Sequence, residues 1–298
     1  MSMTALVAVL TLALTFVGCK SAPADGQRPL LIASTSIVGD LVSRVAGGEA
    51  QVGVLIPIGA DPHDFAPSAR AAASLREADL VVTSGLGLEA GLADALAAAE
   101  EEGVPILELG PSLDPRPLGG SETGSLDPHW WLDPLRAGRA ADLIAERLAK
   151  IAAGNWAARA ATLVAELEAV DDELRASLAV IPSERRALIT SHDAFGYFAE
   201  RYDFEVIGVL IPGGATQAAP DPQALAELAV VIREEGIPAV FAETTLPANV
   251  AEALTAGVGS EVEVVILYTG SLGEPGSGAD TYVGLVRTNV ERIIAALA

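Results

Sequence analysis

Apolar and polar positions along this chain follow two periods in turn. Short apolar runs rich in Val, Ile and Leu are separated by alanine- and leucine-rich segments of helical period, which predicts strands and helices in alternation. Residues 30–33, 52–56, 80–83 and 105–107 read as strands, with helices over 37–46, 68–77 and 88–101 between them. A second set starts at Ala187, with strands at 187–190, 206–210, 239–242 and 262–267 and helices at 194–202, 222–235, 248–258 and 281–296. This order predicts an α/β fold of two pseudo-symmetric lobes, each a mostly parallel four-stranded sheet flanked by helices. The halves also share a phrase, Val52-Gly53-Val54-Leu55-Ile56-Pro57 in the first and Ile207-Gly208-Val209-Leu210-Ile211-Pro212 in the second. Two similar lobes imply a ligand cleft between them, at the carboxyl ends of the parallel strands.

Between the halves, residues 136–151 read as one helix. Gly154-Asn155 then breaks the pattern, with Asn155 placed as the N-cap of a longer helix running to about Val180. Leu163, Leu167, Val170, Leu174 and Leu178 recur at spacings of three and four, an apolar stripe on a helix of roughly 35 Å. A continuous helix is a stiff connector, so the lobes are expected to move little against each other. The expected division is a signal peptide over 1–18, a tether over 19–28, an N-terminal lobe over 29–135, a helical connector over 136–180 and a C-terminal lobe over 181–298.

Composition narrows the function. A chain of 298 residues that is 51% hydrophobic can bury a large core. Forty acidic residues against 18 Lys and Arg give a net charge of -22 and leave no basic stripe, which excludes a nucleic-acid role and favours cations near the surface. The apolar run at residues 4–17 is too short to span a bilayer and ends in Gly18-Cys19 ahead of a polar segment, as a cleaved export signal does. Cys19 is the only cysteine, so no internal disulfide and no thiolate metal site is available. Phe16-Val17-Gly18-Cys19 resembles a bacterial lipobox, in which the cysteine becomes the acylated first residue and anchors the mature protein to a membrane. Phe16 stands where Leu is usual, and no Lys or Arg precedes the apolar run.

The chain contains three histidines. His63 lies in Gly59-Ala60-Asp61-Pro62-His63-Asp64-Phe65, and His129 in Asp127-Pro128-His129-Trp130-Trp131-Leu132-Asp133-Pro134, so Asp-Pro-His occurs twice, each time in a loop after a first-lobe strand. His192, in Thr190-Ser191-His192-Asp193-Ala194-Phe195, follows the first strand of the second lobe. Singly, each reads as a surface or hydrogen-bonded loop histidine. Jointly, on strand-end loops of two matching lobes, they read as ligands of one transition metal. A tetrahedral site takes a fourth donor, and Asp280 is the candidate. It follows a glycine-rich loop and precedes the terminal helix, where it reads equally well as a helix cap. Asp61, Asp127, Asp133, Ser191 and Glu243 are the polar candidates for engaging the second ring nitrogens. Glu243 stands out because it ends a second-lobe strand on the cleft side. Trp130 and Trp131 read as packing rather than as a cover for the site.

These motifs resemble, in order and spacing, the zinc- and manganese-binding solute-binding lipoproteins of bacterial ABC transporters, the cluster A-I family. The resemblance spans about residues 30–297. It rests on Gly59-Ala60-Asp61-Pro62-His63 with Pro67, on Ala78-Asp79-Leu80 leading to Gly85 and Leu88-Glu89, and on the Asp127–Pro134 phrase. It continues in Ser191-His192-Asp193-Ala194-Phe195-Gly196-Tyr197-Phe198, Phe241-Ala242-Glu243, Leu267-Tyr268, Tyr282 and Asn289. It implies a monomeric, exported, membrane-anchored protein with one metal buried between its lobes, which it delivers to an ABC transporter permease. The implied ligands are His63, His129, His192 and Asp280. Three nitrogens and one carboxylate favour Zn2+, with Mn2+ the alternative if the carboxylate binds through both oxygens. Zinc-specialised members often carry a long histidine-rich loop before the second motif; here residues 119–125 are short and lack histidine, which removes one argument for zinc. The competing readings are a zinc hydrolase, although no His-Glu-x-x-His helix is present, and a surface adhesin stabilised by metal.

Overall fold

The computed structural model describes residues 28–119, 124–211, 222–245 and 262–298. The first lobe contains β1 (Leu30–Ala33), α1 (Ser36–Ala46), β2 (Gln51–Val54), α2 (Ala69–Glu77), β3 (Leu80–Thr83), α3 (Ala93–Glu101) and β4 (Ile106–Glu108). Two helices, α4 (Pro134–Leu148) and α5 (Trp156–Leu178), lead to the second lobe. That lobe holds β5 (Ala187–His192), α6 (Gly196–Tyr202), β6 (Glu205–Ile211), α7 (Pro222–Glu235), β7 (Ala239–Glu243), β8 (Glu263–Leu267) and α8 (Tyr282–Leu297). The strand orders are β2-β1-β3-β4 and β6-β5-β7-β8, with every pairing parallel, so the halves repeat one topology. Both sheets reverse direction beside their first strand, and the crevice at such a point opens at the carboxyl ends of the strands.

Local chemistry sets the element ends. The Thr35 side chain accepts from the Val38 amide and starts α1, and Gly47, at φ 52°, ends it in the left-handed region where glycine carries no Cβ penalty. Asp133 caps α4 ahead of Pro134, which suits the first helical turn because its missing N–H has no helical partner there. All residues of β3 and β7 are buried, as expected of strands covered on both faces. The segment expected to be one helix over 88–101 divides into a 3-10 turn, Ala90–Leu92, followed by α3. The strand expected over 52–56 leaves its regular ladder at Val54, although the amides of Leu55 and Ile56 still donate to the carbonyls of Ala33 and Ser34. The helix expected over 248–258 and Cys19 with its leader lie outside the described residues. Asn155 stands at the N-cap position of α5 as expected, but its side chain makes no capping bond: its amide donates to Glu49 Oε1 at 3.3 Å, tying the helix start to the loop after α1.

The five residues of the predicted stripe on α5, Leu163, Leu167, Val170, Leu174 and Leu178, are all buried. They join one continuous core with Val38, Leu41 and Val45 of α1, Ile144 and Leu148 of α4, and Leu285, Val290 and Ile293 of α8. This core runs behind both lobes. Smaller cores lie on the outer faces, around Leu75, Val81 and Leu92 in the first lobe and around Ile189, Ile232 and Val240 in the second. Polar ties reinforce the junction. Tyr202 Oη donates to Asp171 Oδ1 at 3.0 Å, and Arg201 pairs with the same carboxylate, fastening α6 to α5. Among the described residues, no helix is long and apolar enough to cross a membrane.

Candidate metal centre

The carboxyl ends of the two sheets face one another, and the three histidines meet there. His63 comes from the loop after β2, His129 from the loop after β4, and His192 is the last residue of β5. His129 Nε2 lies 3.2 Å from His63 Nε2 and 3.1 Å from His192 Nε2, and one donor atom from each ring falls within 4.8 Å of the others. Ring centroids are 4.9 to 5.5 Å apart, with the planes tilted or edge-on. Three converging nitrogens on steeply inclined rings are an arrangement that can hold a metal ion.

Each Asp-Pro-His segment is shaped by its own aspartate. Asp61 Oδ1 accepts from the His63 amide at 3.0 Å, and Asp127 Oδ1 from the His129 amide at 2.9 Å. Asp127 Oδ1 also accepts from His129 Nδ1 at 2.8 Å, which turns Nε2 toward the cluster. Asp127 is itself held by Arg116 Nη1 at 3.3 Å, and Tyr197 Oη donates to its carbonyl at 2.8 Å. Gly196 lets these groups approach: a Cβ there would sit 1.5 Å from Arg116 Nη1 and 2.7 Å from Asp127 Oδ2. On the other side, His192 Nδ1 bonds Glu243 Oε1, which also accepts from Ser191 Oγ at 2.7 Å, while Thr269 Oγ1 donates to Oε2. Glu243 is thus fully engaged behind the His192 ring.

Burial and charge set the protonation. Burial, helped by the neighbouring imidazoles, pulls His63 down to about 2, and burial with the charge of His192 pulls His129 well below its usual range. Both present lone pairs at neutral pH. Burial also acts against a charge on His192, but the ionised Glu243 and its hydrogen bond outweigh it, with Asp61 and Asp127 adding to the effect, so His192 is raised. Glu243 is pushed the other way, to about 2: burial opposes its charge, and His192, Thr269 and Ser191 overcome that. Burial raises Asp127 to about 6, against the His129 amide and Arg116. Without metal, the pair His192–Glu243 therefore carries an imidazolium and a carboxylate.

Not every expected residue joins the cluster. Asp280 is exposed, and its Oδ2 accepts from the Gly276 amide at 3.0 Å. The loop turns at Gly276 and Gly278, both at positive φ, which directs this carboxylate back onto its own loop. It does not cap α8 either, because Thr281 does so by accepting from the Gly284 amide. Asp133 caps α4 and sits beside Arg136 rather than against an imidazole. Ser191 reaches His192 only through Glu243. Three contributors escaped the sequence reading. Thr269 was detectable by its place just after a strand end, and Tyr197 lies in the phrase that carries His192 but was given no role there, whereas Arg116 acts from outside the histidine motifs and gave no such signal. Trp131 also has a polar function: its Nε1 donates to the Thr269 carbonyl at 2.7 Å, and its carbonyl accepts from Tyr282 Oη at 2.6 Å, joining the two sides of the cleft.

Two parallel sheets whose strand ends enclose a buried cluster of donor side chains define a bilobal α/β binding protein. The chain belongs to the family described as zinc-uptake complex component A, periplasmic, which matches residues 31–296. It is 28% identical to the manganese-binding lipoprotein MntA of Halalkalibacterium halodurans across 97% of each chain. It is 31% identical to the zinc-binding protein TroA of Treponema pallidum, across 94% of this chain and 92% of TroA. The solved structure of that periplasmic zinc-binding protein matches with a TM-score of 0.84 at 30% identity, over 91% of this chain and 100% of the TroA chain.

Proposed function

We propose that this chain is the exported, Cys19-anchored binding component of a metal ABC transporter, which captures one divalent transition metal on His63, His129 and His192 and delivers it to a permease. The observation that carries this reading is the convergence of three Nε2 atoms from both lobes, those of buried His129 and His192 and of half-buried His63, each set by a polar group on its own segment or behind its ring. The anchor is supported by the lipobox-like segment and by the lipoprotein description of MntA.

Zinc is the favoured cargo and manganese the alternative. Imidazole nitrogen suits zinc, whereas manganese takes more oxygen, and among the described residues no carboxylate belongs to the three-histidine cluster. The relatives bear both metal names, and the nitrogen donors of the cluster support zinc. The test is metal analysis of the mildly purified protein beside His192→Ala, together with growth of a strain lacking the protein in metal-depleted medium. One zinc per chain, lost in the variant, with a growth defect confined to depleted medium, supports the proposal. Retention of metal by His192→Ala would refute the ligand set, and normal growth in depleted medium would refute the transport role.

A further inference from the structure

We propose that the first lobe carries a second ligand site, apart from the histidine cluster, in the cavity between α3 and the outer face of β3 and β4, and that it takes a small aliphatic ammonium compound. The cavity measures about 380 Å3, and among the described residues no histidine lines it. Its two walls are set by the chain's own pattern. Ala93, Leu96, Ala97 and Glu100 recur at spacings of three and four and form one face of α3, where the alanines leave room beneath the helix. Opposite them stand Thr83 and Glu108, which pair across the β3–β4 ladder and so point side by side from one face of the sheet. Ile106, two residues before Glu108, shares that face. Gly85, at φ 81°, lets the Glu108 side chain lie across the loop after β3: a Cβ there would stand 3.2 Å from Glu108 Cβ and 3.4 Å from its Oε2.

The Thr83 hydroxyl marks this cavity as more than a gap in packing. Thr83 is 1% exposed, and its Oγ1 has no hydrogen-bond partner among the described residues, a costly state for a buried polar atom that a bound donor would relieve. Val81, two residues earlier on the same strand, packs into the outer core of the lobe, so Thr83 faces the same way and lines the cavity. The charge of the walls selects the ligand. Glu100 and Glu108 stand on opposite sides, and none of the described lining residues is Lys or Arg. Glu89 also borders the cavity, but its Oε1 accepts from Ser34 Oγ at 2.6 Å and the Ser84 amide at 2.7 Å, and its Oε2 from the Gly85 amide at 3.1 Å, so it braces the loop instead of meeting a ligand. An ammonium group is a donor only, with three N–H groups to divide between the hydroxyl and the carboxylates. Methylene groups attached to it would lie against Leu96 and Ile106. A bare metal ion fits less well, because the ligand atoms of these acids do not converge, whereas among the described residues those of the three histidines do.

Calorimetric titration of the metal-free protein with putrescine, at fixed ionic strength, tests this. One putrescine per chain is expected to bind saturably. Glu108→Gln removes a carboxylate, and Thr83→Val exchanges the hydroxyl for a methyl group of similar shape, so each should weaken binding about tenfold or more. Thr83→Val should also unfold at or above the wild-type temperature, which separates lost binding from lost folding. Ala97→Leu, which fills the cavity and keeps every polar group, should abolish binding, and Glu101→Gln, at the same helix end but outside the cavity, should leave it unchanged. Absence of saturable binding, equal weakening by Glu101→Gln, or full binding by Ala97→Leu would overturn the proposal. Binding of Mg2+ more tightly than putrescine, lost in Glu108→Gln, would overturn the ligand class.

Discussion

Replacing Glu243 with Gln removes a charge from the site while leaving an oxygen that can still accept from His192 Nδ1. In the metal-free protein, Glu243 keeps His192 protonated, whereas His63 and His129 are neutral. A metal entering on the three Nε2 atoms therefore displaces one proton, the one on His192 Nε2. At pH 6.0, below the ordinary histidine value of 6.5 and so well within the range where His192 is charged, the wild type should release about one proton per metal. Its apparent affinity should rise about tenfold per pH unit until His192 deprotonates. In Glu243→Gln only burial remains strong, His192 becomes neutral, and proton release at pH 6.0 should fall toward zero. The weakened support behind the ring should cost about 10- to 100-fold in affinity at pH 8, about 1.4 to 2.7 kcal/mol. Calorimetric titration in two buffers of different ionisation heat measures both quantities. Release of no proton or of two by the wild type, or equal release by the variant, would refute this assignment of charges.

Two further substitutions test how the site is supported. Gly196→Ala places a methyl group where Arg116 Nη1 and Asp127 Oδ2 now lie, so it should loosen the aspartate behind His129 and weaken metal binding about tenfold, read by competition with a chelator. Leu167→Ala opens a cavity in the core shared by both lobes and should lower stability by about 2 to 5 kcal/mol in denaturant unfolding, with little change in the metal stoichiometry.

The strands and most helices were legible because burial on one face or both leaves a periodic trace. The α5 stripe is the clearest case, since Leu163 to Leu178 all face the core. The three histidines were legible for a different reason. Asp-Pro-His occurs twice at strand ends, and the structure gives the aspartate of each motif a local task, accepting from the histidine amide two residues on. Glu243 was legible from its place at a strand end on the cleft side. Asp280 lies outside the three-histidine cluster in the metal-free chain, where its direction follows the path of a glycine-rich loop, and backbone turns at Gly276 and Gly278 leave no mark on hydrophobic periodicity. Asn155 holds the N-cap position of α5 as expected, but its side chain is drawn away by Glu49, which is distant in sequence. The continuity of the core across the lobes was also invisible in periodicity, which reports a buried face but not what it packs against.

X-ray absorption at the zinc edge of the loaded protein tests the central claim most directly. Scattering from three imidazole rings is expected, with Zn–N about 2.0 to 2.1 Å, and from fewer rings in His192→Ala. Scattering that fits two imidazoles or fewer in the wild type, or an unchanged pattern in His192→Ala, would contradict the three-histidine site.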